Sequence, residues 1–595
     1  MARRFLTSLW VSAALTVCAF ADVKMTADIK DGDKIAGMRR VSVNVDSKHL
    51  ITSVEFYVNG DLRNTDDSAP YELDLDTISE AEGGLTLKIA AFNNEGEKAE
   101  QTFKLTIDNG LSRGAEAFVG DAKSSLTAGK LDDAILSGRL ALKADSNSTN
   151  ARLVLAQSYY RKNVYDEAQK YCEDILSKNA KNTPALDLLS AVHLKKVFVN
   201  AGRARTRADQ VEMMRASLLA AAKNRAKVWE IKLDEFGTVS ETNLIAFCDL
   251  ALRAGRYSLV IDKLVPVYKR DYRNVEVANR LAYAYMRNAR MDLAASTMAD
   301  HAKRATPDAF GNILLALLSE YQGSGSAAQG YESAAVQMSA SAPTVLGGRS
   351  FLALVRKRAA DLAKFSKSYS TSQPQSPVAN YYRCISLADS KDFNGSQDAF
   401  ETAILAEPAS YDLWLQRAND SITSSLIPGI AKTDQSFSQD LAEVFLDAAL
   451  AARPDCFEAL TSRSILSVYR GANDEGYRFA KAAVAAGPGY GAAHYALAMT
   501  ASLQNKKALE RVTGFQLAAK KAHDEQNYDQ EKSYTASASK AQDDARRYAL
   551  ESETAMKMAG KLDPTNLGGR AIPDALGAWN HINRYGRTPW LEFGR

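Results

Sequence analysis

The residues of this chain that could catalyse a reaction or bind a metal are six histidines and a few acidic pairs. No two histidines have the spacing of zinc ligands. Asp74 and Asp76 share a strand face and could begin a calcium site, but no further acids follow at the spacing of a calcium loop. We therefore expect no metal and no cofactor. The histidines are interpreted as surface or hydrogen-bonded polar residues, namely His49, His193, His301, His494, His523 and His581.

Motifs for nucleophilic attack and for phosphate binding are absent as well. The sequence has neither a G-x-S-x-G elbow nor an H-E-x-x-H helix motif. Gly129-Lys130 and Gly560-Lys561 are each followed by Leu and lack the earlier glycine of a phosphate loop, so both fit turns between helices. These absences favour a binding protein, and an enzyme of an unrecognised type is the least favoured hypothesis.

One cluster of charge could bind a ligand. Residues 195–227 contain nine basic and two acidic residues. Such clusters suit phosphate or carboxylate polymers. No aromatic residue lies between Arg203 and Lys227 to stack on bases, and we expect no nucleic acid as a partner. One interpretation is a solvated helix face. The alternative is that Arg203, Arg205 and Arg207 contact an acidic envelope polymer or anionic lipid.

The first 21 residues predict export followed by cleavage. Arg3 and Arg4 precede a mostly apolar run at 5–20, and A-F-A at 19–21 is a small-x-small cleavage site. We therefore expect the mature chain in the periplasm, at the cell surface or outside the cell. A buried N-terminal helix and a lipoprotein anchored at Cys18 are the alternatives.

The rest of the sequence carries no second membrane signal. No other stretch is apolar over the ~18 residues that a membrane span requires, so no transmembrane segment is expected in the mature chain. The formal net charge is +3, and removal of residues 1–21, with two arginines and no acid, leaves +1. This balance gives no overall attraction to nucleic acid or membrane. Four cysteines remain without a C-x-x-C pair, and their positions inside helical repeats predict buried free thiols.

Residues 22–110 carry the period-two pattern of strands. In V-E-F-Y-V-N-G (54–60), apolar residues alternate up to an Asn-Gly pair that favours a tight hairpin turn. Short strands with turn signals about every ten residues predict a small β-sandwich. Together with A-P-Y-E-L-D (69–74) and L-K-I-A-A-F-N-N-E-G (87–96), this run resembles the bacterial Ig-like modules of exported proteins. The resemblance implies a spacer or an accessory binding unit.

From about residue 114 the apolar period becomes helical, and a 34-residue repeat begins. In residues 149–182, Leu155 and Ala156 lie on one helix face, and Ala168 and Cys172 lie on the facing side of a second helix. A step of 34 residues joins further pairs, namely Ala122 and Ala156, Ala134 and Ala168, Ala282 and Ala316, Ala294 and Ala328, Phe445 and Phe479, and Pro454 and Pro488. This spacing resembles the tetratricopeptide repeat (TPR), which implies stacked helix pairs that present a docking surface.

The expected fold class is multidomain, with a small all-β Ig-like sandwich followed by an all-α TPR-like solenoid. The predicted segments are a signal peptide (1–21), the sandwich (22–110), TPR-like repeats (114–194, 241–342 and 377–500), a basic helical insertion (195–240), a helix and polar linker (343–376, with a loop at 367–377), a long helical segment with a last repeat (501–566) and an aromatic tail (567–595). The tail aromatics are expected to cap the last repeat face, with a partner site as the alternative; they are Trp579, Tyr585, Trp590 and Phe593.

The TPR resemblance implies that positions 2, 5, 9, 12 and 13 of each first helix line a concave wall. In two repeats these positions hold Asn150, Leu153, Gln157, Tyr160 and Arg161, and Glu276, Asn279, Tyr283, Met286 and Arg287. We expect these side chains to stay partly exposed and to bind an extended peptide or a partner helix. The predicted function is an exported, non-enzymatic scaffold that holds a protein or peptide partner in the extracytoplasmic space. The alternative is an envelope-assembly component in which the Ig-like module and the tail make lateral contacts.

Overall fold

The computed structural model describes residues 22–200, 206–562 and 588–592. The chain divides between Ile175 and Leu176 into two compact units. The predicted signal peptide lies outside the described residues. So do Arg203 and Arg205 of the basic cluster and Trp579, Tyr585 and Phe593 of the tail. In the part of the chain that is described, no helix is long and apolar enough to cross a bilayer.

Eight strands form an N-terminal β-sandwich of two sheets. The strands are β1 Lys24–Ala27, β2 Lys34–Ile35, β3 Met38–Asp46, β4 Ile51–Val58, β5 Asp61–Asp66, β6 Tyr71–Asp76, β7 Gly83–Asn93 and β8 Lys98–Ile107. Their orders are β1-β3-β6 and β2-β8-β7-β4-β5. All neighbours are antiparallel except β2 and β8. The alternation on β4 buries Val54, Phe56 and Val58 completely. Asn59 and Gly60 then turn the chain with φ of 52° and 94°, as the sequence predicts.

The described chain continues as 22 α-helices, most of them joined in pairs by short turns. The first four helices are α1 Ala115–Thr127, α2 Leu131–Ala144, α3 Thr149–Arg161 and α4 Tyr165–Lys178. The boundary between the two units lies within α4. Those that follow are α5 Thr183–Asn200, α6 Arg207–Asp234, α7 Leu244–Arg253, α8 Tyr257–Arg270, α9 Val275–Arg287, α10 Met291–Ala302, α11 Ala309–Tyr321, α12 Gly325–Ser339, α13 Pro343–Val355, α14 Ala359–Ser372, α15 Pro377–Asp389, α16 Phe393–Ala406, α17 Tyr411–Ser425, α18 Lys432–Ala452, α19 Phe457–Tyr469, α20 Asn473–Ala486, α21 Gly491–Asp524 and α22 Tyr528–Leu562. A β-sandwich followed by a TPR-like solenoid confirms the predicted fold class.

Small residues let the two helices of a pair approach closely, as the repeat spacing predicts. The eight alanines joined by the 34-residue step have no exposed surface; they are Ala122, Ala134, Ala156, Ala168, Ala282, Ala294, Ala316 and Ala328. Side-chain caps fix the helix starts. The Ser148 hydroxyl accepts from the Ala151 amide at 3.1 Å at the start of α3, and Asn274 does the same for Val277 at the start of α9. These caps satisfy amide groups of the first turn and fix where each of the two helices begins.

Residues 343–376 form a complete helix pair, so the predicted polar loop at 367–377 is wrong for its first half. Helix α14 continues through Ser372 because Phe365 and Tyr369 turn inward and are 7% and 0% exposed. Because serine and threonine surround Phe365 and Tyr369, the sequence shows no clear apolar pattern for this buried face. The turn is confined to 373–376, where Ser376 caps α15.

The C-terminal helical region is a hairpin of two long helices, where the sequence suggested one long helix or an insertion at 515–555. Helices α21 and α22 are 34 and 35 residues long and are joined at 525–527, where Gln526 has a φ of 58°. Their seam is built from buried small residues, among them Ala508, Ala522, Ala541 and Ala545. A strongly helix-forming sequence hides the turn, since it contains neither glycine nor proline.

The four cysteines of the described chain are free and buried, as the sequence predicts. We expect Cys172, Cys248, Cys384 and Cys456 to resist a thiol reagent in the folded protein and to react completely in denaturant. Burial is the main cause, and it raises the pKa of the Cys172 and Cys248 thiols to about 12, which suppresses the reactive thiolate. The measurement is a timed thiol titration with and without denaturant. A native disulfide found by mass spectrometry would contradict the result.

Candidate peptide-binding groove

The predicted groove positions on α9 are buried, and the expectation that they stay partly exposed is wrong for four of five. Asn279, Tyr283, Met286 and Arg287 are 0–3% exposed, and only Glu276 is open to solvent. Two contacts close over this face of α9. The start of α17 contacts it through Asp412, and a piece of the chain's own tail that is neither helix nor strand lies against it.

That piece is residues Thr588–Glu592, here called the seated segment. Its sequence is Thr-Pro-Trp-Leu-Glu. It contacts residues of five helices, namely α9, α13, α14, α15 and α19, and of the turn before α15. Together these residues are called the inner groove. The sequence analysis expected Trp590 to cap the last repeat face. Trp590 instead lies against α15. The seated segment binds residues of α9 to α19, which precede α21 and α22 in the chain.

The main chain of the seated segment is held by three buried side chains. The Tyr283 hydroxyl accepts from the Leu591 amide at 3.0 Å and donates to the Leu591 carbonyl at 3.3 Å. The Tyr382 hydroxyl donates to the Trp590 carbonyl at 2.9 Å. The Arg287 Nη1 donates to the Pro589 carbonyl at 3.2 Å. These contacts recognise an extended backbone irrespective of its side chains.

Arg287 has no exposed surface, so each of its N–H groups needs a partner inside the protein. Its two terminal nitrogens donate to the Asp412 carboxylate at 2.9 and 2.7 Å. Its Nε donates to the Tyr257 hydroxyl at 3.1 Å, and Nη2 also donates to Tyr411. The remaining N–H goes to the Pro589 carbonyl. All five donors are thus used, and one of the five hydrogen bonds goes to the seated segment.

The charges around Arg287 are arranged to keep it ionised and the tyrosines neutral. Burial disfavours the guanidinium charge, but the Asp412 carboxylate together with three nearby tyrosines outweighs this effect and raises the pKa of Arg287 well above its usual value. Burial raises the pKa of Tyr283 and Tyr382, so both hydroxyls keep the protons that they donate. Burial also raises the pKa of Glu458, against the opposing effect of nearby Arg453.

The side chains of the seated segment each have a distinct contact. The Trp590 ring meets Tyr381 edge-on, with ring centres 5.4 Å apart. Leu591 is 4% exposed and lies over Gly347 and the Tyr369 ring. The Glu592 Oε2 accepts from the Tyr369 hydroxyl at 3.0 Å and from the Ser376 hydroxyl at 2.5 Å.

Two further features complete the groove. At the other end of the seated segment, the Thr588 hydroxyl donates to Glu458 at 3.1 Å. A cavity of about 240 Å³ opens beside Leu591 and Glu592, with Tyr257 and Arg453 among its walls. The seated segment therefore occupies a groove that has free volume next to it.

The predicted groove residues of the first unit make contacts of their own. Asn150 donates to the Glu116 carboxylate at 3.1 Å, and Arg161 donates to the Leu126 carbonyl. The Tyr160 ring lies 6.0 Å from that of Tyr165. Gln157 is half-buried. A role for these four residues in binding a partner stays a prediction.

Lys195 and Lys196 of the basic cluster lie on α5, and its other described residues lie on α6, where two arginines pair with acids of α18. Arg207 forms an ion pair with Asp434, and Arg215 forms one with Asp447. The interpretation as a solvated face is therefore wrong for Arg215, whose side chain is 28% exposed and holds α6 against α18. Contact with an acidic polymer stays a prediction.

Several groove residues escaped the sequence analysis, although a signal existed for some of them. Gly347 and Tyr381 are the fifth residues of α13 and α15, and Asp412 and Glu458 are the second residues of α17 and α19. They would have been found by extending the concave positions from two repeats to the others. Tyr369, Ser376 and Tyr382 occupy none of those positions, and no sequence signal marked them.

Two family models match parts of the chain. The model described as bacterial Ig domain matches residues 29–91, and the tetratricopeptide repeat model matches residues 125–192. Both resemblances inferred from the sequence are thereby confirmed. No curated protein matches the chain. The TPR-type fold supports a protein-binding scaffold.

Three solved structures resemble parts of this chain and cover different shares of it. The fibronectin(III)-like modules of Clostridium thermocellum CbhA are 26% identical, with a TM-score of 0.13, over 14% of this chain and 94% of theirs. The Cut9 complex with Hcn1 is 12% identical, with a TM-score of 0.34, over 78% and 96%. Yeast Tom70 is 14% identical, with a TM-score of 0.32, over 74% and 98%. These TM-scores are too low for the likenesses to bear on function.

The buried ion pair of Arg287 with Asp412 predicts a large stability effect. We expect Arg287→Met to lower the free energy of unfolding by about 3–5 kcal/mol, because it leaves the Asp412 carboxylate buried without its cation. The measurement is urea unfolding. The matched control is Arg256→Met, whose pair with Glu230 is solvent-exposed and should contribute about 0–1 kcal/mol. Equal effects of the two substitutions would show that the buried pair carries no special role.

Proposed function

We propose that this chain is a non-enzymatic scaffold whose inner groove captures an extended segment of a partner protein. The observation that carries the proposal is the set of buried donors aimed at the backbone of the seated segment. Arg287 and Tyr382 donate to two successive carbonyls, and Tyr283 bonds both polar groups of the next residue. A groove that binds main-chain groups in this way suits an extended peptide, since a partner helix has already paired these groups internally.

The energetic argument is that the groove is incomplete without a peptide. Removing the seated segment would leave the last donor of Arg287 without an acceptor inside the protein. A buried polar group without a partner costs about 1–3 kcal/mol. An extended peptide that supplies carbonyls at the same spacing removes that cost. Water would also satisfy these groups in an open groove, so affinity must come from side-chain contacts as well.

We also propose that the chain is exported and meets its partner outside the cytoplasm. The support is the pattern of the first residues, with Arg3 and Arg4, an apolar run and a cleavage site before Asp22. The test is N-terminal sequencing of protein recovered from the envelope and from the medium. A mature chain that begins at Asp22 is expected, and protein found only in the cytosol with Met1 or Ala2 at its start would contradict export.

The binding proposal is tested with a full-length variant whose own segment cannot seat. Leu591→Asp places a charge in the buried slot over Gly347 and should release the segment. A labelled peptide, Thr-Pro-Trp-Leu-Glu, should then bind, as measured by fluorescence anisotropy. Adding Tyr283→Phe and Tyr382→Phe removes three hydrogen bonds to the peptide backbone and should weaken binding about 10- to 100-fold.

The matched control for the two tyrosines is Tyr528→Phe with Tyr534→Phe on α22. This pair removes the same two atoms from tyrosines outside the inner groove. We expect it to leave the affinity for the peptide unchanged. If both pairs of substitutions weaken binding equally, the inner groove is not the site.

A further inference from the structure

We infer that residues 588–592 are a built-in ligand of the inner groove, and that the partner segment shares their order of side chains. That order is a proline, an aromatic residue, an aliphatic residue and an acid. This inference rests on the proposed function and adds two things to it. It names the chemical class of the partner, and it makes the chain's own tail a competitor of that partner.

Proline fits its position because it brings no amide proton into a buried place. Pro589 is buried, and the groove meets its carbonyl with the Arg287 donor. Any other residue would bury an N–H group there, which costs free energy unless an acceptor is close. Proline also restricts the free peptide to extended shapes, which lowers the entropy lost on binding.

The next two positions are selected by shape. The half-buried Trp590 ring presents its face or edge to Tyr381, so an aromatic side chain gains ring contact there. Leu591 is 4% exposed and packs against Gly347, with the cavity beside it. A methyl group added to Gly347 would lie 3.4 Å from both the Leu591 side chain and the Tyr369 ring. The position therefore favours an aliphatic residue and disfavours a charged one, which would lose its hydration there.

The fourth position selects an acid. The hydroxyls of Tyr369 and Ser376 both donate to one carboxylate oxygen of Glu592. Two donors converging on one oxygen favour an anionic acceptor, because hydrogen bonds to a charged group are stronger than neutral ones. A lysine at this position could donate to these hydroxyl oxygens but would lose both hydrogen bonds to a charged acceptor.

Competition follows from the tether. The seated segment is joined to α22 through residues 563–587, so its binding is intramolecular. A covalently joined segment competes at an effective local concentration of up to about 1 mM, and a free peptide must overcome this competition to bind. A partner protein would displace the segment by binding more tightly or by adding contacts elsewhere, for example in the cavity beside Leu591.

The test uses full-length protein in three forms, namely the wild type, Leu591→Asp and the control Leu517→Asp. Leu517 is 66% exposed on α21, so its change introduces the same charge outside the groove. Labelled Thr-Pro-Trp-Leu-Glu peptide is titrated against each form. We expect Leu591→Asp to bind at least about 100-fold more tightly than the wild type and the control. Trp590→Ala serves as a second unseated variant, and circular dichroism checks that each form is folded.

The outcomes separate the two proposals. Equal affinity of all three forms would show that the segment is no competitor, and would overturn the inference while leaving the groove as a peptide site. Absence of binding to both folded, unseated variants would overturn the proposed function together with the inference.

The partner class is tested with four peptides that carry single changes, Pro to Ala, Trp to Ala, Leu to Asp and Glu to Lys. Each should bind the unseated variant about 10-fold more weakly or worse, and unchanged affinity for all four would refute the assigned order of side chains.

Discussion

A fully buried guanidinium is the constraint around which the second unit is organised. Arg287 has no exposed surface, and an unpaired charge in such a place costs several kcal/mol. The protein meets this cost with a carboxylate, two tyrosine hydroxyls and one carbonyl of the seated segment. These partners come from three places in the chain, namely Tyr257, the start of α17 and the seated segment, so satisfying one side chain fixes the relative positions of several repeats.

The ion pair of Arg287 with Asp412 joins residues 125 positions apart. Helices α9 and α17 can meet only if the repeats between them turn by the required amount. The hydrogen bond between the Tyr257 and Tyr411 hydroxyls, at 3.2 Å, joins the same two regions. The closure of these repeats brings the inner groove together from α9, α13, α14, α15, α19 and the turn before α15. Repeat packing thus determines the shape, and the polar contacts at its centre determine what the groove can bind.

The fold was largely predictable because it follows from local periodicity. The period-two runs indicated the strands, and the 34-residue step of small residues indicated the helix pairs. The resemblance to the TPR placed Tyr283 and Arg287 among the groove positions. The burial of these residues was not predictable, because it depends on α17 and on a tail segment 308 positions from Tyr283. The five residues of the seated segment show no helical or strand periodicity, so their sequence does not indicate where in the fold they bind. Tyr369 was missed for a related reason, since its hydroxyl-rich neighbours read as a loop.

The central claim is that the inner groove binds an extended chain through its backbone, and the Leu591 amide reports on it directly. Its exchange rate with deuterium can be measured in the full-length protein by NMR. The account predicts strong protection in the wild type and a faster rate in Tyr283→Phe, which removes the acceptor of that amide. Exchange of the Leu591 amide at the rate of an unstructured peptide in the wild-type protein would contradict the account.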